Sequence, residues 1–77
     1  MNLDEGKIAA ARKASGLTVD EAANACGLSR PTYSLREQQV GDFRIRELLM
    51  LRDSLDKTGK SLFDSAIATI FLPTTLR

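Results

Sequence analysis

The sequence predicts an all-α protein, a compact single domain of five helices. Aromatic residues make up only 5% of the chain and Trp is absent, which points to a core of Leu, Ile and Ala on helices. Two residues of the type that caps helix N-termini, Thr18 and Ser29, each precede a helix-forming segment. Apolar residues recur at helical spacing after position 44. A chain of 77 residues holds one core, so the domain is expected to span residues 1–77.

The first helix is predicted from about residue 4 to residue 15. Asp4 and Glu5 would lie in its first turn, where acidic side chains complement the positive end of the helix dipole. The Ala-rich segment that follows has high helix propensity. Gly16 is placed to end the helix as a C-terminal cap.

The second helix is predicted to begin after Thr18, which forms a T-x-x-E capping box with Glu21. It should stop at Gly27, so it is short. Its expected inner face consists of Ala22, Ala23 and Cys26. Because Cys26 is the only cysteine, a buried small apolar residue is favoured over a reactive thiol.

The third helix is predicted from about Arg30 to Gln38. Ser29 is its capping candidate, and Pro31 falls in the first turn, where the missing backbone N–H leaves no bond unmade. Only residues 27–29 separate it from the second helix. A three-residue turn that contains Gly is the mark of a helix-turn-helix motif.

The fourth helix has the strongest apolar pattern and follows a loop at about residues 39–43. Gly59 is expected to be its C-terminal stop. The residues that recur at helical spacing are Ile45, Leu48, Leu49, Leu51 and Leu55.

A short fifth helix is predicted to open at Ser61 with Asp64 as its capping-box acid. Its expected inner face is Leu62, Ala66 and Ile67. The β-branched and apolar segment at residues 70–72, before Pro73, is expected to leave the helix and run extended.

Composition excludes several classes of function. The formal net charge is only +1, so nucleic-acid binding must be sought in local clusters of basic residues. The chain has no His, which removes His-based catalytic triads and His-ligated metal sites. There is no apolar run of transmembrane length and no secretion signal. We therefore expect a cytoplasmic protein without enzymatic activity, cofactor, metal, small-molecule substrate or membrane partner.

The order of these signals resembles the Cro/CI-type (Xre-like, lambda-repressor-like) helix-turn-helix regulators from about Ile8 to Ile70. The wording R-P-T-Y-S-x-x-E from Arg30, followed by G-D-F, looks like small phage-encoded members. The other matching motifs are I-x-x-A-R at 8–12, G-L-T at 16–18, E-A-A at 21–23, C-G-L-S-R at 26–30 and T-Y-S-L-R-E at 32–37.

The resemblance implies that the third helix enters the major groove of double-stranded DNA with its N-terminal residues on base edges. Arg is suited to guanine, because its guanidinium bonds the O6 and N7 atoms together, whereas Pro and Leu can only pack on a thymine methyl group. The positions that match the family's base-recognition residues are Arg30, Pro31, Thr32, Ser34 and Leu35.

Contacts to the DNA backbone are implied at a second set of positions. Val19 stands where members commonly place a phosphate-binding Gln, so only backbone amides near Thr18 remain there. Arg36 and Arg44 suit phosphate, and Arg46 extends their surface, although plain solvation is an equal alternative for each arginine. The complete set is Thr18, Val19, Tyr33, Arg36, Phe43 and Arg44.

Three positions match residues with a structural role in the family that the chain resembles. Arg12 and Glu37 match an arginine of the first helix and a glutamate of the third that pair and lock the third helix onto the domain. Tyr33 stands at a core position, with its hydroxyl expected to reach the surface near a phosphate.

The function that the resemblance implies is a sequence-specific regulator, a phage-type repressor that binds an inverted repeat as a homodimer. The dimer surface is expected on helix five and the tail Ile70–Leu76, with packing of the tail on its own domain as the alternative. A protein-interaction module of the same fold, antirepressor-like or antitoxin-like, is the alternative function. Pro31, Leu35, Val19 and the small net charge favour that alternative.

Overall fold

A computed structural model describes residues 6–71, and side chains for residues 6–69. Over this range the secondary structure is helical throughout, with short connections and no strand. This confirms the predicted all-α domain of five helices. The elements are α1 (Lys7–Ala14), α2 (Val19–Cys26), α3 (Arg30–Gln38), a 3-10 turn (Val40–Asp42), α4 (Ile45–Ser54) and α5 (Lys57–Phe71).

Helix α1 begins later than the sequence predicts. Gly6 has φ of 90°, a left-handed conformation that the helix cannot contain, so the first helical residue is Lys7. The predicted first-turn acids, Asp4 and Glu5, lie outside the described residues. Ile8 and Ala11 have no exposed surface.

The predicted caps of α2 and α3 are confirmed. Thr18 Oγ1 accepts from the Glu21 amide at 3.1 Å, and Glu21 Oε1 accepts from the Thr18 amide at 2.8 Å. Gly27 ends α2 with φ of 71°, a conformation that favours glycine. Ser29 Oγ then accepts from the Thr32 amide at 3.3 Å and starts α3.

The predicted stop at Gly59 is wrong, because α4 ends at Ser54 and Gly59 lies inside α5. Asp56 is the residue that starts α5, since its Oδ1 accepts from the Gly59 amide at 2.8 Å. Gly59 is buried, and a Cβ there would lie 2.9 Å from the carbonyl oxygen of Ala11. Glycine at this position therefore allows α5 to approach α1 closely.

The predicted start of the fifth helix at Ser61 is also wrong, because α5 begins at Lys57. Its inner face is Phe63 and Ala66, with Ile67 partly buried, whereas Leu62 is 43% exposed. Residues 70 and 71 continue the helix and do not run extended. Strand propensity is a weak local preference that a long packed helix overrides. Residues 72–77 lie outside the described part of the chain.

The core lies where α1 packs along α5 and where α2 packs against α3 and α4. The rings of Tyr33 and Phe43 meet edge to face, with centroids 6.0 Å apart. The buried apolar residues are Ile8, Ala11, Ala22, Ala23, Cys26, Tyr33, Val40, Phe43, Leu48, Leu51, Leu55, Phe63 and Ala66. All three predicted inner-face residues of α2 are among them.

Within residues 6–71 no helix combines the length and the apolar character needed to cross a membrane.

Candidate nucleic-acid interface

Helices α2 and α3 are joined by a rigid three-residue turn. The Leu28 amide donates to the Ala23 carbonyl at 2.9 Å, which fixes the chain as it leaves α2. Leu28 is half-buried and packs against the core. The start of α3 is thus positioned both by this bond and by the Ser29 cap.

The inner side of α3 is held by Tyr33, which is fully buried. An α-helix has 3.6 residues per turn, so residues two positions before and two positions after Tyr33 lie on the opposite side. Those residues are Pro31 and Leu35, and both are exposed. The helix therefore presents the face that carries Pro31 and Leu35 to solvent.

The expected pair between Arg12 and Glu37 is confirmed. Arg12 Nε donates to Glu37 Oε2 at 2.7 Å, and the two side chains are only 8% and 12% exposed. A second donor of Arg12, Nη1, bonds the Leu17 carbonyl at 3.0 Å. Burial lowers the pKa of Arg12, but the bond and charge of Glu37 outweigh it and raise the pKa. Arg12 is therefore a permanent cation that anchors α3 to α1.

Arg30 lies at the start of α3 and extends into solvent. Its Nε is 3.6 Å from Asp20 Oδ1, and the two side chains are 66% and 65% exposed. Exposed pairs of this kind contribute little to stability, because water screens them. Arg30 is thus available to another acceptor at small cost.

The hydroxyl side chains of α3 are less available. Thr32 and Ser34 are both half-buried. Ser29 Oγ donates to Thr32 Oγ1 at 2.9 Å while it accepts from the Thr32 amide, so the Thr32 hydroxyl belongs to the helix cap. One hydroxyl proton of Thr32 remains for donation to an acceptor outside the chain.

The start of α2 is poorly suited to phosphate. The amide of Thr18 is already bonded to Glu21, and Val19 packs against the core. Asp20 and Glu21 occupy the first turn, where their charges would repel an anion. The predicted backbone contacts at Thr18 and Val19 thus depend on the remaining amides of this turn.

Two of the predicted backbone contacts are corrected by burial. The side chain of Tyr33 is 0% exposed and that of Phe43 is 7% exposed, because they pack on each other within the core. Among residues 6–71 the Tyr33 hydroxyl is a buried oxygen with no hydrogen-bond partner, and it does not reach the surface as predicted. Burial is the main cause that raises the pKa of Tyr33, so it stays neutral.

A buried carboxylate that the sequence analysis missed joins α3 to α4. Glu47 Oε1 accepts from Arg36 Nε at 3.3 Å and from the Arg44 amide at 2.9 Å, and its side chain is 5% exposed. Burial alone raises the pKa of Glu47, but these two donors hold it below its ordinary value. The signal for it is an acid at the third position of a helix, where it bonds the capping residue's amide.

The two arginines that bond Glu47 do so through different groups, Arg36 through its side chain and Arg44 through its backbone amide. The Arg36 side chain is only 21% exposed, and its guanidinium bonds the buried Glu47 carboxylate. Arg44 donates only its amide to Glu47, and its residue is exposed, as is Arg46. The Arg44 side chain is thus exposed next to the Glu47 junction, which joins α4 to the C-terminal half of α3.

Cys26 is buried, as predicted, and its Sγ lies 3.5 Å from the Glu47 carbonyl oxygen. Burial, and then the charge of Glu47, raise the pKa of the thiol to about 11. The protonated form is therefore the one present at neutral pH.

A second exposed feature is an apolar groove between α4 and α5 with a volume of about 320 Å³. Ile45 and Leu49 on its edge are 74% and 60% exposed. Arg52 and Asp64 flank it with two parallel bonds of 2.8 and 2.9 Å. The remaining lining residues are Leu48, Phe63, Ile67 and Ala68. Side chains 70–77, part of the expected dimer surface, lie outside the described residues.

Comparison with known proteins yields no match to a family model, to a curated protein or to a solved structure.

Proposed function

We propose that the protein is a sequence-specific DNA-binding regulator that inserts α3 into the major groove and acts as a phage-type repressor. The observation that carries this proposal is Arg30, exposed at the start of a helix that Tyr33 and the Arg12–Glu37 pair fix to the domain. Base recognition needs donors held in one geometry, and sites on well-supported helices meet that need.

The distribution of charge supports the same function. Exposed arginines lie near both ends of α3: Arg30 at its start, and Arg44 beside its C-terminal half through the Glu47 junction. A recognition helix in the major groove meets base edges with its N-terminal residues, and residues near the groove walls meet phosphates. Arg30 would bond a guanine, and Arg44 would bond a phosphate.

We further propose that the regulator is a homodimer on an inverted repeat. One recognition helix reads only a few base pairs, and two half-sites about one helical turn apart supply the remaining specificity. The α4–α5 groove, with Ile45 and Leu49 exposed on it, offers an apolar surface to a second copy.

The test is selection of bound sequences from a random duplex pool, followed by fluorescence anisotropy on the selected duplex across a salt series. We expect one preferred sequence and affinity that falls with salt. The dimer is tested by sedimentation of the full chain and of Leu49→Asp, with Leu35→Asp as the control, because Leu35 is equally exposed at 60% but lies on α3, outside the groove. Leu49→Asp alone should shift the protein toward monomer.

The second candidate function is a protein-interaction module. It is favoured by the 60% exposure of Leu35 on α3 itself, since an exposed apolar side chain there suits a protein partner. This function predicts that no duplex is enriched from the random pool and that anisotropy shows no salt-dependent binding. The selection experiment therefore decides between the two functions.

A further inference from the structure

We propose that α3 recognises the C5-methyl group of pyrimidine bases in the major groove through Pro31 and Leu35. The inference rests on the proposed DNA-binding function and adds the chemical group that the helix detects. It makes these two residues determinants of specificity beside Arg30.

Pro31 and Leu35 share one face of α3. Pro31 and Leu35 are four residues apart on α3, so their side chains lie on one face, one turn apart. Leu35 is 60% exposed and Pro31 is also exposed. Together they form an apolar pair in the middle of an otherwise polar exposed face.

The setting of this pair favours DNA over a protein partner. Arg30 precedes it, and Arg36 and Arg44 are joined at Glu47 beyond it. The pair thus lies between an arginine proposed to bond a guanine and an arginine proposed to bond a phosphate, as expected of a helix that faces base edges beside a phosphate backbone. A protein partner would be better suited by a larger continuous apolar area. Here the apolar area is small, because the half-buried polar residues Thr32 and Ser34 lie on either side of the pair.

The chemistry of the pair limits what it can detect. Neither Pro nor Leu has a side-chain hydrogen-bond donor or acceptor. These side chains therefore cannot form a hydrogen bond with O4 of thymine or with the N4 amino group of cytosine. The C5-methyl group is the apolar feature of the major-groove edge. Thymine and 5-methylcytosine should thus be accepted, and uracil and cytosine should be bound more weakly.

The experiment uses the duplex that the wild-type protein selects from a random pool. Each pyrimidine position is synthesised in two matched pairs: thymine against uracil opposite adenine, and 5-methylcytosine against cytosine opposite guanine. Within a pair only the methyl group changes. Anisotropy at one salt concentration then gives the affinity ratio for that methyl group.

We expect at least one position at which the methylated form binds about fourfold more tightly in both pairs. That ratio is the burial of one methyl group, about 0.8 kcal/mol, converted at 1.4 kcal/mol per tenfold. Leu35→Ala or Pro31→Ala should bring the ratio toward one. Leu62→Ala, an exposed leucine on α5, should leave the ratio unchanged. Circular dichroism confirms that each variant is folded.

The failures are distinguishable. If the wild-type protein binds the selected duplex in a salt-dependent manner but every methyl ratio is one, the methyl inference is overturned while the DNA-binding function stands. If both α3 variants keep the wild-type ratio, another residue detects the methyl group and the inference is again overturned. If no duplex is selected at all, the DNA-binding function fails, and the inference fails with it.

Discussion

The buried face of α3 and its exposed N-terminus hold their charged residues in opposite ways. On the buried face Glu37 is bonded to Arg12 at 2.7 Å with both side chains nearly buried. At the exposed N-terminus Arg30 Nε lies 3.6 Å from Asp20 Oδ1, with both side chains about two-thirds exposed. One arginine–carboxylate pair thus fixes the buried face of the helix, whereas the other leaves a cation available at the helix N-terminus. Position relative to the core, and not residue type, decides the role of each arginine.

The largest effect is expected from Arg12→Ala. Removal of one partner from a buried pair leaves the other charge unpaired, which costs about 3–5 kcal/mol of unfolding free energy. Glu37→Ala should cost a similar amount, and the double variant should cost less than the sum. Chemical denaturation of all three variants measures this cycle. Additive losses would show that the pair is not coupled.

Arg52→Ala is the matched control for Arg12→Ala. Arg12 bonds both carboxylate oxygens of Glu37, at 2.7 and 3.4 Å. Arg52 likewise makes two bonds to the Asp64 carboxylate, at 2.8 and 2.9 Å, but its side chain is 40% exposed. Water screens such a pair, so its loss should lower stability much less than Arg12→Ala does. Equal losses would mean that burial does not distinguish the two pairs.

Gly59→Ala tests how tightly the helix that carries Arg12 is held. The added Cβ would overlap Ser15 Oγ and lie 2.9 Å from the Ala11 carbonyl, so α5 must move away from α1. Overpacking of this kind costs about 1–3 kcal/mol. Gly41→Ala is the control, because nothing lies within 4 Å of a Cβ there. A Gly59→Ala variant as stable as wild type would show that the close approach is unnecessary.

Features set by neighbours along the chain could be predicted from the sequence. The capping box at Thr18 and the cap at Ser29 involve bonds across three residues, and both were found where the sequence places them. The Arg12–Glu37 contact was expected from the family resemblance and not from spacing. The role of Gly59 could not be predicted from its sequence neighbours, because Gly59 allows close approach to α1, a helix more than forty residues away in the chain.

The candidate site was predictable to the same degree. The family resemblance assigns Arg30, Pro31 and Leu35 to the interface, and all three are exposed. Tyr33 and Phe43 were assigned to the DNA backbone but pack on each other, and only the folded chain brings that pair together. Glu47 was missed for a similar reason, since its partner Arg36 comes from a different helix.

Arg30→Ala tests the exposed N-terminus of α3 directly. On the selected duplex we expect a loss of about 1–3 kcal/mol in binding free energy and a relaxed preference at one base pair. Scrambled duplexes should be bound almost as well as by wild type. Anisotropy on both duplexes measures the difference, and a second selection with the variant identifies the affected base pair. An equal loss on both duplexes would assign Arg30 to phosphate instead of a base.

The smallest and most diagnostic effect is expected from Arg44→Ala. Arg44 is exposed, and only its amide bonds Glu47, so removal of its side chain leaves the α3–α4 junction in place. A phosphate contact carries no sequence information, which means that selected and scrambled duplexes should lose affinity equally. Each such contact releases about one counterion, so the slope of log affinity against log salt should fall by about one unit per protomer. Anisotropy across a salt series measures both quantities, with Lys13→Ala as the control because Lys13 is an exposed cation on α1, outside α3 and outside the α4–α5 groove. An unchanged slope would place Arg44 in solvent and restrict the interface to α3 itself.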